Sequence, residues 1–197
     1  MPKVTEEYRA ARRDEIADAA LRAFRRTGFQ ATSMADIIAE SGLSAGAIYG
    51  HYPSKGALVV GVASRIVGAR IDDIRDLMDA SPMTPPPAVV RVLVGAIRRE
   101  VGDPAVLLQL WGEAVTDPEI ADLAIGTVGR LKTALSRYTS LWHQRTHGLT
   151  PQEADALGAE QVPLLLSAVQ GYVIQSTVDA HFDGEAYLAA VERYLPR

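Results

Sequence analysis

The sequence predicts an all-α protein, and two observations lead to that fold class. Apolar residues recur at intervals of three and four along nearly the whole chain, which is the spacing of one buried helix face. Alternating β-branched runs bounded by hairpin turns, the usual sign of strands, are scarce. With 197 residues, 48% of them apolar, the chain is long enough to bury a substantial core. We therefore expect about nine helices and no sheet.

The first helix is predicted at about residues 8–27. Ile16, Ala20 and Phe24 repeat every four residues and form its buried stripe. Gly28 follows directly, and glycine is the residue that most often ends a helix because it adopts the left-handed conformation without strain.

Two short helices are predicted next. Ser33 and Asp36 have the spacing of a capping box, with Asp in place of the usual Glu, and start the second helix. The chain turns at Gly42, and Ser44 caps a third helix at about 44–51. Helices under about 12 residues are marginal in water, so these two must be held by each other and by the first helix.

The three helices are expected to share a small core. Ile37, Leu43 and Ile48 are spaced to meet Ile16 and Phe24 of the first helix. That arrangement is a helix-turn-helix, in which one helix enters the DNA major groove while its neighbour crosses the backbone.

Six further helices are predicted after this unit. The fourth begins after Pro53-Ser54 and ends near Met78, and the proline run in SPMTPPPA marks a loop behind it. Prolines at first-turn positions mark later helix starts, and Pro163 is expected to kink or restart the penultimate helix. The later helices are placed at about 88–101, 105–115, 118–147, 151–182 and 184–194.

We expect two domains, a DNA-binding domain at 1–56 and an effector-binding and dimerisation domain at 57–197. The first carries a net charge of +1 and the second −5. Clustered arginines in the first domain, next to an acidic second domain, are consistent with contact between the first domain and an anion. Ordinary solvated helix faces explain the difference in net charge equally well.

Several function classes are excluded by the composition. The chain has no cysteine, so disulfides, thiolate nucleophiles and cysteine metal sites are impossible. No nucleophile elbow, phosphate loop or dinucleotide glycine pattern is present, and we predict no catalytic residue and no cofactor. A polar N-terminus and the absence of long apolar runs favour the cytoplasm over secretion or a membrane.

One region, from Ile16 to Leu58, carries a specific series of motifs. It reads Thr32-Ser33-Met34, Asp36-Ile37, Gly42-Leu43-Ser44, Gly46-Ala47-Ile48-Tyr49, His51-Tyr52, Pro53-Ser54-Lys55 and Leu58. This series resembles the DNA-binding domain of TetR-type (tetracycline-repressor-like) transcriptional regulators. The resemblance implies a homodimeric bacterial regulator, more often a repressor, whose divergent C-terminal domain binds a small molecule and then releases the DNA. Two positions depart from the family pattern: Ile38 replaces a small alanine, and Tyr52 replaces phenylalanine.

The predicted recognition helix, SAGAIYGH, contains no Arg, Lys, Asn or Gln. We therefore expect this helix to make few side-chain hydrogen bonds to base edges. Ser44 is able to hydrogen-bond several base edges, and Ala45 to touch a thymine methyl group. Gly46 and Gly50 would allow close approach of the backbone to DNA. The alternative is that both glycines relieve crowding against Ile38.

Other residues must then contribute to DNA binding, together with DNA shape. Near the second helix the candidates are Gln30, Thr32 and Ser33. The arginines of the first helix are further candidates, although a solvated helix start explains them equally well: Arg9, Arg12 and Arg13. The resemblance implies phosphate contacts by Thr32, Ser33, Tyr49, His51 and Lys55, and for His51 a helix cap is the alternative.

A ligand pocket is expected in the second domain, because its helices carry more apolar residues than one buried face each requires. Such a lining suits an apolar or aromatic effector with a few polar anchors, although plain core packing accounts for many of the same residues. The predicted lining is Leu107, Gln109, Leu110, Trp111, Tyr138, Trp142, Leu166, Gln170 and Val173.

The last two helices are expected to form the homodimer, as the resemblance implies. A two-fold dimer presents two recognition helices about one DNA turn apart, so the operator should be a near-palindrome. Two alternatives stay open. His143 and His147, four residues apart on one helix, would be the start of a metal site in a helical enzyme. The other alternative is a DNA-binding or interaction protein without a ligand.

Overall fold

The computed structural model describes residues 5–101 and 104–196, apart from the side chains of three residues in the middle of the chain, Leu110, Glu119 and Leu123. Nine α-helices and no strand occur within this part, which confirms the predicted all-α class. The helices are α1 Glu6–Thr27, α2 Met34–Ser41, α3 Ala45–His51, α4 Lys55–Met78, α5 Pro86–Val101, α6 Ala105–Thr116, α7 Pro118–His147, α8 Pro151–Val178 and α9 Gly184–Tyr194.

The predicted helix limits agree with the structure to within two residues, except at the end of α8. That helix stops at Val178 rather than near residue 182. The backbone of Asp179 is extended, and its carboxylate accepts a hydrogen bond from the N–H of His181 at 2.8 Å. Short acidic side chains that bond nearby N–H groups compete with helix formation, so the chain leaves α8 there. Pro163 does not interrupt α8, which is a single helix.

The core shared by α1, α2 and α3 lies where the apolar spacing placed it. Ile16, Ile37 and Ile48 are fully buried and Phe24 is almost so. Leu43 differs from the prediction, since it is only half-buried in the turn after α2. The two short helices therefore owe their stability to packing on α1, as their length requires.

A pair of arginines holds α2 on α1 from the outside. Arg22 and Arg26 of α1 donate to the two carboxylate oxygens of Glu40 on α2, at 2.9 and 2.6 Å. These hydrogen bonds hold the pKa of Glu40 below its ordinary value. Exposed ion pairs contribute little individually, but one carboxylate shared by two arginines fixes the crossing of the two helices.

Tyr52 packs where α3 meets the start of α4. It is buried, and its hydroxyl lies 3.5 Å from the carbonyl oxygen of Arg13. A Cβ atom at Gly61 would lie 2.4 Å from the tyrosine ring, so α4 needs glycine at this position. Tyr52, which replaces the phenylalanine of the family pattern, is thus buried, and its ring contacts α4 closely.

The chain divides into two compact units. The first comprises the described residues up to Ile66 together with Val106–Ile125, and the second comprises Val67–Ala105 with the described residues from Gly126 onward. The prediction that 1–56 and 57–197 are independent domains stays a prediction. None of the described helices combines the length and apolarity needed to cross a lipid bilayer.

The second unit is built on α5, which packs against α8 and α9. Its interior includes Leu93 and Val94 of α5 and Val173 of α8, all almost completely buried. Arg91 of α5 bonds Glu185 at 2.5 Å and Glu192 at 2.6 Å, and both acids belong to α9. The apolar face and the double ion pair together fix α9 on α5.

Candidate nucleic-acid interface

The helix-turn-helix is shaped by two side-chain caps and one glycine. Ser33 accepts a hydrogen bond from the N–H of Asp36 at 3.2 Å, and the Asp36 carboxylate accepts one from the N–H of Ser33 at 2.8 Å. The predicted capping box is therefore present. Ser44 caps α3 through the N–H of Ala47, and Gly42 takes φ 67° in the turn, where other residues are strained.

One face of α3 is exposed and almost free of side chains. Ala45, Gly46 and Gly50 are exposed, whereas Ile48 on the opposite side is fully buried. A Cβ atom added at either glycine would meet no atom within 4 Å. Crowding against Ile38 is therefore not the reason for these glycines, and that alternative is wrong. The α3 face that they leave is flat and accessible to the backbone of a partner.

Two of the predicted phosphate contacts belong to the last turn of α3. Tyr49 exposes 47% of its surface. His51 is half-buried at the end of the helix. A tyrosine in this position presents its hydroxyl to solvent beside the flat α3 face, where a phosphate oxygen would be an acceptor.

Lys55, the first residue of α4, is held in place by the turn between α1 and α2. Its ammonium nitrogen lies 4.1 Å from the centre of the Phe29 ring and donates to the carbonyl oxygen of Gln30 at 3.2 Å. Partial burial lowers the pKa of Lys55, and the carboxylate of Glu113 acts in the opposite direction. The lysine charge is thus positioned at the N-terminus of a helix, which itself favours anions.

The residues that contact Lys55, Phe29 and Gln30, are themselves held by residues of α1 and α6 in the same unit. Phe29 is buried edge-to-face against Phe24, with ring centres 5.2 Å apart. Its N–H donates to the side-chain oxygen of Gln109 at 2.6 Å. The side chain of Gln30 donates to the carboxylate of Glu113. Sequence reasoning missed Phe29 and Glu113, because their partners lie far away along the chain and no local spacing connects them.

Thr32 is buried, in contrast to its neighbours. It exposes 1% of its surface, and its hydroxyl donates to the carbonyl oxygen of Gly28 at 2.7 Å and lies 2.7 Å from the hydroxyl of Thr27. These bonds close the turn after α1. A phosphate contact by Thr32 stays a prediction, and its side chain would have to break these bonds to make one. Ser33 and Gln30 are exposed.

The arginines at the start of α1 are mostly paired within that helix. Arg12 bonds Glu15 at 2.6 Å and a tyrosine hydroxyl at 2.8 Å, and Arg13 bonds Glu6 at 2.8 Å. Arg9 is exposed. Exposed pairs of this kind contribute little to stability, so exchanging a carboxylate for a DNA phosphate costs little.

The predicted ligand-lining residues are divided between the two units. In the second unit Tyr138, Trp142, Leu166 and Val173 are buried, and the hydroxyl of Tyr138 donates to a backbone carbonyl oxygen at 2.5 Å. Gln170 is exposed on α8. In the first unit Leu107 is buried, Trp111 is half-buried, Gln109 bonds Phe29, and the side chain of Leu110 lies outside the described part. A shared lining stays a prediction.

The histidine pair on α7 is not equally accessible. His143 is buried, and its Nε2 atom lies 3.1 Å from the side-chain oxygen of Gln161. His147 is exposed, with its ring centre 5.6 Å from that of His143. Among the described residues, no group of three His, Cys, Asp or Glu side chains is arranged to hold a metal ion.

Comparison with known proteins agrees with the helix-turn-helix geometry. Residues 16–62 match the sequence profile described as "Bacterial regulatory proteins, tetR family". The chain is 45% identical over 53 residues to the HTH-type transcriptional regulator YfiR of Bacillus subtilis, a match covering 27% of this chain and 26% of that protein. It is 40% identical over 63 residues to an HTH-type transcriptional repressor of Mycobacterium tuberculosis, covering 32% and 34% respectively.

A solved structure extends the similarity of fold to nearly the whole chain. A transcriptional regulator from Saccharomonospora viridis, determined in complex with choline, superposes with a TM-score of 0.66. That alignment covers 94% of this chain and 95% of the other, at 22% sequence identity. The chain thus spans about a quarter to a third of the two regulators it matches in sequence, and nearly all of this one in fold.

Proposed function

We propose that the chain is a transcriptional regulator rather than an enzyme, and more specifically a ligand-responsive repressor that binds a near-palindromic operator as a dimer. Residues 16–62 match the tetR family of bacterial regulatory proteins, which supports this proposal. The observation that supports DNA binding best is the exposed face of α3, where a Cβ atom at Gly46 or Gly50 would meet no other atom within 4 Å. The similarity to a repressor of Mycobacterium tuberculosis supports repression. The cytoplasm, where bacterial DNA lies, is the corresponding location.

DNA would be bound by the exposed face of α3 and by groups on either side of it. Ala45, Gly46 and Gly50 would let the helix backbone approach base edges, with Ser44 as a hydrogen-bonding group at its start. Lys55 and the N-terminus of α4 would hold a phosphate, since the free N–H groups and the ammonium both attract an anion. Base reading would remain sparse, so DNA shape would contribute much of the specificity.

The remaining contacts would come from groups around this face. Gln30 and Ser33 are exposed and close to the start of α2, while Tyr49 and His51 end α3. Their donors suit phosphate oxygens, which position a protein on the duplex without reading sequence.

Operator binding is tested by titrating fluorescent duplexes from the DNA flanking the gene with the full chain at several salt concentrations. We expect one near-palindromic fragment to bind tightly. Lys55→Ala should weaken binding roughly tenfold and reduce the salt slope by about 1 per site, because one phosphate contact is lost. Tyr49→Phe should weaken it less. Lys132→Ala, an exposed lysine of α7, is the matched control and should bind normally.

Weak binding that is equal on all fragments and unaffected by Lys55→Ala would contradict the proposed contacts. If no flanking fragment is preferred, the full chain is used to select from random DNA, and failure to enrich any palindrome would contradict the regulator itself. Release is tested on the preferred fragment with apolar and aromatic compounds. The effector proposal fails if only charged compounds release the DNA.

The effector proposal has two supports. The second unit is rich in buried apolar residues, which supports an apolar ligand. A protein of the same fold was crystallised in complex with choline, which supports small-molecule binding in general but not the charge of the ligand, because choline is a cation. For this chain we propose an uncharged or weakly charged apolar or aromatic ligand within the C-terminal helices, with Tyr138, Trp142 and Leu166 among its candidate contacts.

Dimerisation is proposed through α8 and α9. These helices border an open apolar groove of about 430 Å³, which includes Leu164, Tyr187 and Val191. Leu164 and Tyr194 are 46% and 77% exposed, which is unusual for large apolar side chains on a protein without a partner. A two-fold axis would bury the same face on both copies and form a four-helix bundle.

Leu164→Glu is expected to convert a dimer to a monomer in sedimentation-velocity measurements, because it places two charges in the proposed interface. Ile125→Glu, an equally drastic change at an exposed position of α7, should leave the dimer intact. A wild-type chain that sediments as a monomer, or a Leu164→Glu variant that remains dimeric, would contradict this interface.

A further inference from the structure

A cleft in the second unit has a composition unlike the apolar lining proposed for the effector. It lies between the C-terminal part of α4, the middle of α7 and the first turns of α8, and its volume is about 590 Å³. Three arginines line it: Arg75 of α4, and Arg130 and Arg137 of α7. Small-molecule sites usually have volumes of about 300–1,000 Å³, so the cleft is large enough for a ligand.

Two of the three arginines of α7 have no polar partner within the described part of the chain, whereas the third, Arg145, donates to the carbonyl oxygen of Met78 at 2.7 Å. Among the described residues, neither Arg130 nor Arg137 makes a hydrogen bond or an ion pair. In the same unit Arg70 and Arg91 are each paired with two carboxylates. The residues from 57 onward carry a net charge of −5, so unpaired arginines in one cleft are not the product of an excess of positive charge.

The spacing of these arginines suits a single anionic group. Residues seven apart on a helix lie two turns, about 10 Å, apart on the same face. Thr133 lies between Arg130 and Arg137 on that face and also lines the cleft. Two long guanidinium side chains can therefore converge on an anion held between them, as guanidinium groups do with carboxylate and phosphate. The hydroxyl of Thr133 donates to the carbonyl oxygen of Gly129 at 3.0 Å.

The cleft also has an apolar wall. Ile71 and Met78 of α4 face Leu141 of α7 across it, and none of the three is exposed. One acid, Asp155, lies in the lining, where its carboxylate accepts the hydroxyl of Ser140 at 2.6 Å. Asp155 forms no ion pair with the arginines of the cleft within the described structure. Arg75 is paired with Asp72, on the exposed side of α4.

We propose that this cleft binds a small amphipathic organic anion, whose charged group lies between Arg130 and Arg137 and whose apolar part contacts Ile71, Met78 and Leu141. The guanidinium groups supply the charge and the hydrogen-bond donors, and the apolar wall distinguishes such a ligand from an inorganic ion. The site is separate from the residues proposed for the apolar effector, and it does not depend on DNA.

The test is calorimetric titration of the full chain with octanoate at constant ionic strength, with octan-1-ol and inorganic phosphate as comparison ligands. Octanoate should bind at one site per chain, and both other ligands at least tenfold more weakly, because each lacks one half of the required chemistry. Arg130→Gln and Arg137→Gln should each weaken octanoate binding by about tenfold, since each removes a charged hydrogen-bond donor.

Lys132→Gln is the matched control, because Lys132 is an exposed cation on the same helix outside the cleft. It should leave octanoate binding unchanged, and thermal melting should show that all three variants are folded. Arginine variants that bind octanoate like the wild type would overturn the proposal. So would phosphate that binds as tightly as octanoate, or octan-1-ol that displaces octanoate at equal concentration, since displacement shows binding at the same site. No DNA is present in this titration, so such a result would leave the proposed operator binding unaffected.

Discussion

Phe24→Ala is expected to lower the free energy of unfolding of the first unit by about 3–5 kcal/mol, the range found when large buried aromatic residues are truncated. Phe24 is almost fully buried at the centre of the core formed by α1, α2 and α3. Its edge-to-face contact with Phe29 is lost as well. Denaturant unfolding followed by circular dichroism measures the change.

Two variants separate the loss of packing from other effects. Phe24→Leu keeps most of the volume and should cost clearly less than the alanine variant. Tyr8→Ala removes an aromatic ring that is exposed on the same helix, and it should alter stability by less than about 1 kcal/mol. A loss below about 1 kcal/mol for Phe24→Ala would contradict the central place of this residue in the core.

The same core supports the proposed DNA contact. Phe24 packs on Phe29, and the face of Phe29 carries the ammonium group of Lys55. A cation over an aromatic ring gains about 0.5–1 kcal/mol at exposed sites, so the ring both orients and stabilises the lysine. Truncation of Phe24 would therefore be expected to loosen Phe29 and, with it, the position of the Lys55 ammonium group that would contact a phosphate.

Local signals accounted for most of the helices. Capping at Ser33 and Ser44, the glycine at the α2–α3 turn and the prolines that begin α7 and α8 depend only on near neighbours, and each is present in the structure. The end of α8 was missed because the Asp179 side chain bonds a nearby N–H, which the apolar periodicity does not reveal. Helix ends depend on such single contacts more than on composition.

The hydrogen-bond partners of residues around the candidate site are harder to predict from the sequence than the helices are. Gln109 was expected to face a ligand, whereas in the structure it accepts the N–H of Phe29. Thr32 was expected at a phosphate, whereas its hydroxyl closes a turn. Both contacts arise only when the helices of the first unit pack together, so no spacing along the chain predicts them. Phosphate contacts by Tyr49 and Lys55 stay predictions.

Replacing both Gly46 and Gly50 with alanine is expected to raise the stability of the free protein and to weaken operator binding. Alanine favours a helix over glycine by up to about 1 kcal/mol per residue, and neither new methyl group would touch another atom of the chain. On DNA, the methyl groups would lie between the α3 backbone and the groove. A two-fold complex contains each change twice, so a threefold loss per half-site becomes about tenfold overall.

Gly68→Ala distinguishes this explanation from a general effect of stiffening a helix. Gly68 lies inside α4, and a Cβ atom there would also meet nothing within 4 Å. That variant should gain a similar stability per glycine, about half the gain of the double variant, while its operator affinity stays unchanged, as measured with the same labelled duplex. If the double variant on α3 binds the operator as tightly as the wild type, close backbone approach is not the function of these glycines. A loss confined to the α3 variant would mean that the chain keeps two weak helix formers on this face because DNA occupies the space that their side chains would take.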